Sequence, residues 1–270
     1  MKYGVICGNG RFPLLALEAA RTLGDEAVAI AIEEEASKEV EPLAARTHWI
    51  SLGALSRLID ICHRESITEI MMCGQVKHAS IFSAIQPDWR LAKVLLSLRE
   101  RNTDALIGAV KKVLEDEGIS LVDSTRLLKS LLAGEGVLTR RKPNEDELRD
   151  IAYGQRIAAA LSTLDVGQSV AISGRACVAV EAMEGTDAML RRAASLVAGK
   201  PLRLVKASRR RAHLLFDVPV LGLVSVATMI ETGTTAAGVD AGRTLLLDRE
   251  KLIAEADQAG IALLGLPLQK

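Results

Sequence analysis

Short apolar runs alternate with longer amphipathic stretches throughout the first half of the chain. Each apolar run has the length and the Val, Ile or Met content that is typical of a buried strand. The predicted strands are Lys2–Cys7, Glu26–Ile32, 47–50 and Glu69–Cys73. Helical periodicity over 13–23 and 53–64 separates them, and Pro13 suits the first turn of its helix. Strands that alternate with helices predict a parallel, Rossmann-like sheet.

A change of pattern divides the chain near its middle. From residue 89 to about residue 132 the apolar positions follow a helical period. The stretch 134–143 is glycine-rich and basic and ends in proline, which is typical of a linker. We therefore predict a Rossmann-like N-terminal domain over 1–133 and a distinct C-terminal α/β domain over 134–270.

The second half begins with a long predicted helix over 145–164, capped by Asn144 or a neighbouring residue. Strand candidates follow at Ser169–Ser173, 176–182, Leu202–Lys206, 221–226, 244–247 and 262–264. Further helices are predicted at 188–197, 227–232 and 249–259. This mixture indicates that the second half is also an α/β fold.

The composition is that of a globular protein with an aliphatic core. Hydrophobic residues make up 49% of the chain and aromatic residues only 3%, which favours helices packed on strands. The 34 Lys and Arg residues balance 34 Asp and Glu residues, so the formal net charge is zero. A protein that binds nucleic acid usually carries a basic excess. We therefore expect no nucleic-acid partner.

Cysteine spacing and hydropathy indicate the compartment. The 4 cysteines are far apart and form no CxxC pair, which argues against a zinc site or a disulfide framework. The N-terminus leads straight into a glycine-rich turn, without the apolar stretch of a signal peptide. No run approaches the roughly 18 apolar residues of a membrane span. These features predict a cytoplasmic protein.

The turn Gly8-Asn9-Gly10-Arg11-Phe12-Pro13 is the first place where the sequence indicates chemistry. A glycine turn between a strand and a helix lets backbone N–H groups and the helix N-terminus face an anion. Pro13 occupies the third glycine position of the G-x-G-x-x-G fingerprint, which disfavours a dinucleotide-dependent oxidoreductase. Because many such turns hold glycine for backbone reasons alone, this turn indicates a phosphate or sugar-nucleotide contact without naming the ligand.

An acid-rich segment lies at the end of the predicted strand 176–182. Glu181, Glu184 and Asp187 cluster there, and Thr186 is at the expected N-cap of the next helix. Helix capping and the helix dipole account for Thr186 and Asp187, but not for the density of acids. Two or three carboxylates with nearby arginines could hold a divalent metal ion and a phosphate together.

Asp217 is the one acid inside the apolar run 214–226. Such an acid lies at the exposed end of a strand or is held by a partner, because an unpaired buried carboxylate is costly. A turn acid before Pro219 is an equally simple interpretation. The local pattern leaves both interpretations open.

Together these segments resemble the UDP-2,3-diacylglucosamine pyrophosphatase family of lipid A biosynthesis, the type unrelated to calcineurin-like phosphoesterases. The resemblance is closest in Ala-Val-Glu-Ala-Met-Glu-Gly-Thr-Asp-Ala-Met-Leu-Arg-Arg at 179–192. The other matching segments are 8–13, 73–76, 164–168, 217–219, 226–228, 238–242 and 247–250. The match spans essentially the whole chain.

The resemblance implies a Rossmann-like N-terminal domain and a distinct C-terminal α/β domain with the active site between them. The implied reaction is metal-dependent hydrolysis of the diphosphate of UDP-2,3-diacylglucosamine to UMP and 2,3-diacylglucosamine 1-phosphate. Asp217 corresponds to the family's essential aspartate and is implied to be catalytic and to bind Mg²⁺ or Mn²⁺. The substrate contacts expected from the resemblance and from strand-end positions are Gly8, Gly10, Arg11, Phe12, Gly74, Val76, Asn102, Thr103, Gln168, Glu184, Gly185, Thr186 and Asp187.

The same resemblance implies partners. The substrate is a glycolipid carrying a UDP-sugar head, and its two acyl chains require an apolar groove. We therefore expect peripheral contact with the inner membrane surface, and the resemblance also implies a homodimer. The alternative hypothesis is a non-catalytic protein that binds a sugar nucleotide or lipid, in which Asp217 is only a turn acid.

Overall fold

The protein folds into two compact units. The computed structural model describes residues 1–76, 86–98, 103–209, 214–215 and 217–268, without the side chains of 103 and 104. The first unit comprises Met1–Leu128 together with Leu214, Leu215 and Asp217, and the second comprises the remaining described residues. The sequence places the domain division at 133/134 and assigns Asp217 to the C-terminal domain. In the structure the chain returns to the first unit for this short segment.

The first unit is built on a parallel sheet. The strands described there are β1 (Lys2–Cys7), β2 (Glu26–Ile32), β3 (Arg46–Ile50), β4 (Glu69–Cys73) and β5 (Ser120–Leu121). The helices described there are α1 (Phe12–Thr22), α2 (Leu55–Arg64), α3 (Trp89–Ser97) and α4 (Thr103–Asp116). The predictions for β1, β2 and β4 are confirmed at every residue.

The strand order of this sheet is β3-β2-β1-β4-β5, and all its neighbours pair in parallel. The chain winds outward from β1 to β3 and then returns to place β4 on the other side of β1. Because crossovers are right-handed, α1 and α2 lie on opposite faces of the sheet. Buried side chains of α2, α3 and α4 share one hydrophobic core with the strands. The predicted Rossmann-like fold is confirmed.

The strand β5 departs from the prediction, which extends helical structure to about residue 132. The helix α4 ends at Asp116, and Gly118 follows with φ +76°, a left-handed conformation that favours glycine. Ser120 and Leu121 then pair with Glu69 and Ile70 of β4. A two-residue strand is too short to show a period, so pairing with β4 decides it.

The second unit contains a larger, mixed sheet. Its described strands are β6 (Gly136–Val137), β7 (Ser169–Ser173), β8 (Ala176–Val180), β9 (Leu202–Lys206), β11 (Thr234–Asp240) and β13 (Ala262–Leu266). Their order is β6-β13-β11-β9-β7-β8. A separate parallel pair is formed by β10 (Val220–Leu221) and β12 (Leu245–Leu246).

Helices cover both faces of this mixed sheet. The described helices of this unit are α5 (Glu145–Thr163), α6 (Thr186–Leu196), α7 (Leu223–Glu231) and α8 (Arg249–Gln258). Alternate strand residues divide between two cores: Val170 and Ile172 face α5, whereas Ala171 packs with α6, α7 and α8. The α/β prediction for the second half is therefore confirmed.

The start of α5 confirms its predicted cap. The Asn144 side chain accepts a hydrogen bond from the Glu147 N–H at 2.9 Å, and the Glu147 carboxylate accepts one from the Asn144 N–H at 2.9 Å. This reciprocal pair is a capping box, which satisfies two N–H groups that have no acceptor inside the helix.

The second half departs from the predicted elements in three places. The predicted strand 221–226 ends at Leu221, and α7 begins at Leu223, because an apolar run of this length suits a buried helix equally well. The strand Thr234–Asp240 is not predicted, since its Ala, Gly and Asp residues are weakly strand-like. The predicted linker 134–143 contributes β6, which pairs with β13.

Three of the four cysteines lie in strands of the two units. All four cysteines are free thiols, and Cys7, Cys73 and Cys177 lie in strands as predicted. Burial raises the pKa of the Cys7 thiol to about 12, so it remains protonated. Within the described ranges, no helix has both the length and the apolar content needed to cross a membrane.

Candidate functional site

Two loops meet at the carboxyl edge of the first unit's sheet, where the strand order reverses between β1 and β4. The Asn9 N–H donates to the Gln75 carbonyl at 2.7 Å, and the Gln75 N–H donates to the Asn9 carbonyl at 3.0 Å. The Gly8 N–H donates to the Cys73 carbonyl at 2.8 Å. In open α/β sheets, ligands bind at such a reversal point, beyond the carboxyl ends of the two strands.

The glycines of this crevice are required by its backbone. A Cβ atom on Gly8 would lie 2.7 Å from the Gln75 carbonyl oxygen, and one on Gly74 would lie 2.6 Å from that of Asn9. Gly74 and Gly10 have φ of +91° and +95°, in the region that favours glycine. These three predicted contact residues can therefore meet a ligand only through their backbone.

The helix α1 begins at the same crevice. Arg11 occupies its N-cap position, and its side chain makes no capping hydrogen bond. The N–H groups of the first turn have no acceptor within the helix, so they suit an anionic ligand. The Arg11 guanidinium pairs with Glu18 at 3.2 Å, and the Phe12 side chain is buried in the core. Phe12 therefore offers a ligand its N–H group alone.

Three further predicted contacts belong to the first unit. Val76 is half-buried and directly follows Gln75 of the crevice. Asn102 lies outside the described residues. Thr103 is the first residue of α4, but its side chain is not among the described parts. Among the described side chains of these three residues, that of Val76 follows the crevice loop directly.

Asp217 belongs to a chain segment that is hydrogen-bonded to the loop after β5. Leu214 and Leu215 accept hydrogen bonds from Ser124, through its N–H at 2.9 Å and its Oγ at 2.7 Å respectively. Since β5 neighbours β4 in parallel, this loop lies at the same sheet edge as the crevice. Asp217 itself is exposed and has φ +54°, a left-handed conformation.

A second polar cluster lies at one edge of the second unit's sheet. The start of β7 and the ends of β8 and β9 converge there, since Ser169 pairs with Lys206 and Val170 with Val180. The Lys206 ammonium donates to the Thr186 Oγ1 at 2.9 Å, and Thr186 donates to Glu181 at 2.8 Å. These two hydrogen bonds link the Lys206 ammonium to the Glu181 carboxylate through the Thr186 hydroxyl.

Glu181 is ionised within this cluster. Burial raises its pKa, but the charge of Lys206 and hydrogen bonds from Ser169, Thr186 and the Gln168 N–H outweigh burial and leave the pKa below its ordinary value. Lys206 is only 7% exposed, so its charge is compensated inside the protein. The carboxylate of Glu181 therefore has structural partners that account for its burial.

The residues after Glu181 depart partly from the prediction. Gly185, with φ +83°, is the N-cap of α6, and Thr186 is the first helical residue, so the expected Thr186 cap is wrong. A hydrogen bond from Arg192 holds the pKa of Glu184 below its ordinary value. One carboxylate oxygen of Asp187 is buried without a hydrogen-bond partner among the described residues, which leaves an acceptor for an incoming donor.

The acid cluster does not bring three potential metal ligands together among the described residues. Throughout the described ranges, no three His, Cys, Asp or Glu side chains are grouped closely enough to hold a metal ion. Glu181 and Glu184 are instead occupied by Thr186 and Arg192. The interpretation of Glu181, Glu184 and Asp187 as a shared set of metal ligands is therefore not supported by the described residues.

Several polar residues of these two edges were not predicted. Lys206 and Asp240 end neighbouring parallel strands, and burial raises the pKa of Asp240, whose Oδ2 accepts the Ser208 N–H at 2.8 Å. The sequence does carry a signal for Lys206, because a lysine at the end of the predicted strand Leu202–Lys206 is a candidate polar site residue. The sequence carries no such signal for Ser124, because its hydrogen-bond partner Leu215 is 91 residues away along the chain.

The fold and the first crevice define a two-unit α/β protein whose Rossmann-like part has an anion-suited site at its sheet reversal. Models of the LpxI N-terminal domain and the LpxI C-terminal domain match residues 2–131 and 134–264. The chain therefore belongs to the LpxI family. The UDP-2,3-diacylglucosamine pyrophosphatase LpxI of Caulobacter vibrioides is 28% identical over 279 residues, which covers 100% of this chain and 99% of that protein.

Two solved structures are similar to parts of the chain. A UDP-glucose-4-epimerase from Stenotrophomonas maltophila has a TM-score of 0.29 and 16% identity, with 44% of this chain and 34% of that one covered. The biotin carboxylase domain of the Hydrogenobacter thermophilus 2-oxoglutarate carboxylase has a TM-score of 0.28 and 11% identity, with 64% and 35% covered.

Proposed function

We propose that this protein hydrolyses the diphosphate of UDP-2,3-diacylglucosamine in lipid A biosynthesis. The relationship that carries the proposal is the full-length similarity to a pyrophosphatase of that name. In the reaction, water adds to one phosphorus and the bond from that phosphorus to the bridging oxygen breaks. The products are UMP and 2,3-diacylglucosamine 1-phosphate.

The crevice between β1 and β4 supports a role in binding the diphosphate. Its donors are backbone N–H groups of a glycine loop and of the uncapped start of α1, with Arg11 beside them. Such neutral donors bind phosphate through fixed dipoles and need no excess of basic residues. A protein with a net charge of zero can therefore still bind a diphosphate.

The proposal assigns Asp217 as the carboxylate that binds Mg²⁺, or Mn²⁺ in its place. The donor chemistry fits, because Mg²⁺ in phosphate sites takes one or two carboxylates and completes its shell with water and phosphate oxygens. An exposed aspartate outside any cluster of acids is compatible with that mode. The bound ion would neutralise phosphate charge and orient the attacking water. The contribution of Asp217 is to hold one negative charge at a defined position on the surface.

Release of UMP tests the reaction directly. The purified protein is incubated with UDP-2,3-diacylglucosamine in detergent micelles, with Mg²⁺ and separately with EDTA, and UMP is measured. We expect UMP and the lipid 1-phosphate in equal amounts, and none with EDTA. Tight binding of the lipid without UMP release would instead identify a binding protein. Hydrolysis in oxygen-18 water locates the label on the attacked phosphorus.

We further propose peripheral contact with the cytoplasmic face of the inner membrane, through one face of α3. Trp89 and Leu96 are 67% and 87% exposed, and a spacing of seven residues places them on the same side of the helix. Lys93 is exposed between them. Tryptophan and leucine with an intervening lysine fit an anionic lipid surface, where the two apolar side chains enter the interface and the lysine meets phosphate.

Vesicle sedimentation tests this contact. In phosphatidylglycerol vesicles, the variant Trp89→Ala/Leu96→Ala should bind several-fold more weakly and release UMP more slowly from vesicle-borne substrate. Its turnover of detergent-dispersed substrate should not change. Leu23→Ala, which removes another exposed leucine of the same unit, is the control and should bind like the unaltered protein. Equal binding by all three proteins would contradict the assignment of α3.

The homodimer implied by the family resemblance belongs to the same proposal. Size-exclusion chromatography with light scattering measures it directly. We expect a mass of about twice the 28.9 kDa of one chain. A mass of one chain at micromolar concentration would contradict it.

A further inference from the structure

The chain segment that carries Asp217 is held by residues immediately after β5. The Ser124 N–H donates to the Leu214 carbonyl at 2.9 Å, and the Ser124 Oγ donates to the Leu215 carbonyl at 2.7 Å. In return, the Leu214 N–H donates to the Asp123 Oδ2 at 3.3 Å. The Leu215 side chain packs against the hydrophobic core of the first unit. Hydrogen bonds and apolar packing thus fix the backbone at 214–215.

Ser124 makes these contacts from inside the protein. It is 0% exposed, and its hydroxyl donates to a carbonyl that is 91 residues away in sequence. A buried hydroxyl that loses its acceptor costs free energy, so the bond is strongly favoured in the folded state. The neighbouring Thr125 is held separately, because its N–H and Oγ1 both donate to the Asp123 Oδ1, at 2.8 and 2.6 Å.

The anchored carbonyl lies close to Asp217 along the chain. Asp217 is two positions after Leu215, so their Cα atoms are at most about 7 Å apart. Asp217 also has φ +54°, a conformation that most residues adopt only when the surrounding structure imposes it. An exposed carboxylate therefore follows, two positions along the chain, a backbone that residues after β5 hold in place.

From this arrangement we infer that Ser124 is a positioning residue for Asp217. Asp123 supports the same segment by accepting the Leu214 N–H. The inference rests on the proposed function, in which Asp217 is the reacting site's carboxylate. Ser124 is buried and acts through the segment it binds, not through contact with substrate. A displacement of about 1 Å in a catalytic group can lower turnover up to a hundredfold. Loss of the Ser124 hydroxyl should therefore affect kcat more than KM.

The first test is the variant Ser124→Ala. We expect kcat for UMP release to fall between about tenfold and a hundredfold, with KM within about twofold of the unaltered protein. Asp123→Asn is the second variant, since it replaces the acceptor that faces the Leu214 N–H and should lower kcat in the same direction. Ser173→Ala is the control: its Oγ also donates to a remote carbonyl, that of Pro201, at 3.0 Å. The control should keep its kcat, and circular dichroism confirms folding of each variant.

The second test separates positioning from general structural damage. If Ser124 acts through Asp217, Ser124→Ala should lower the residual kcat of an Asp217→Asn protein by less than about twofold. A fall as large as in the unaltered background would overturn the inference, as would an unchanged kcat for folded Ser124→Ala. Full activity of Asp217→Asn would reject the proposed role of Asp217 itself, which is a separate result.

Discussion

Asp217 combines an exposed carboxylate with a left-handed backbone, φ +54°. For most L-residues that conformation costs about 1–2 kcal/mol, and Asn and Asp tolerate it best. Asparagine is therefore a better test residue than alanine, because it removes the charge and keeps the conformational preference. The effect of the charge on turnover can therefore be measured without changing the backbone preference of this position.

We predict that Asp217→Asn loses at least a hundredfold in kcat for UMP release while its thermal midpoint changes by less than about 2 °C. The neutral amide cannot supply the charge assigned to this position, whereas the fold tolerates Asn there. Steady-state kinetics and calorimetry provide the two measurements. Asp60→Asn makes the same change at an exposed helical position and should leave both unaltered. Normal kinetics of Asp217→Asn would remove Asp217 from the mechanism.

Gly74 and Gly24 offer a matched pair for the crevice. Both have positive φ, +91° and +73°, but only Gly74 approaches another backbone. A Cβ on Gly74 would meet the Asn9 carbonyl oxygen at 2.6 Å, whereas one on Gly24 would meet no atom of the described structure within 4 Å. The difference between the two alanine variants therefore measures the close approach of the loops.

We predict that Gly24→Ala destabilises the protein by about 1–2 kcal/mol, the cost of a left-handed alanine. Gly74→Ala should cost about 1–3 kcal/mol more and should raise KM for the UDP-lipid, because overpacking separates the loops after β1 and β4. Urea unfolding and steady-state kinetics are the measurements. If both variants lose equal stability and keep the same KM, the two loops do not need their observed contact.

At the level of elements, the capped start of α5 combines a capping box with a buried carboxylate. Glu147 is 2% exposed and accepts hydrogen bonds from Arg141 at 2.9 Å and from the Thr235 hydroxyl at 2.6 Å. Burial raises its pKa, but Arg141, Thr235 and the Asn144 N–H outweigh burial and leave the pKa below its ordinary value of 4.5. Its ionised form therefore stabilises the fold.

The resulting pH dependence follows from this lowered pKa. The stabilisation by Glu147 is fully present above about pH 4.5 and is lost as the pH falls through the lower, folded-state value. We predict that Glu147→Gln lowers the free energy of unfolding by about 2 kcal/mol at pH 7, and that this difference shrinks below pH 4.5. Glu145→Gln, at an exposed position of the same helix, should change stability by less than about 0.5 kcal/mol. Urea unfolding across this pH range compares the three proteins, and a difference that is constant with pH would contradict the assignment.

At the level of the whole molecule, the first unit is discontinuous in sequence. It includes Leu214, Leu215 and Asp217, which follow most of the second unit along the chain. Both tryptophans, Trp49 and Trp89, belong to the first unit, so tryptophan fluorescence reports on it selectively. The contribution of this returning segment (Leu214, Leu215 and Asp217) to the stability of the first unit can therefore be measured.

We predict that a fragment of residues 1–128 unfolds at a lower urea concentration than the same unit in the full chain. The fragment lacks the packing of Leu215 and leaves the buried Ser124 hydroxyl without its acceptor, a loss of about 1–3 kcal/mol. Tryptophan fluorescence during urea unfolding measures the two midpoints. Equal midpoints would show that the returning segment does not stabilise the first unit.

The sequence by itself determined the elements whose signal is local. Period and β-branched content are sufficient for Lys2–Cys7 and Glu26–Ile32, and Asn144 with Glu147 identifies a helix start. The glycine turn at 8–10 is also a local signal, whereas Gly74 was expected only from the family resemblance. The family match also came from sequence, because the 179–192 segment is contiguous in the chain.

Only the tertiary structure decided the features that depend on partners far away in sequence. Thr234–Asp240 is a strand because Leu202–Lys206 and Ala262–Leu266 flank it, and its own weak propensity does not show this. Glu181 had the pattern of a metal ligand, but Lys206 and Thr186 occupy it. Asp217 had the pattern of a turn acid in the C-terminal domain, whereas Ser124 anchors its segment to the first unit. Local periodicity carries no information about such pairings, because the contacts form only when the chain has folded.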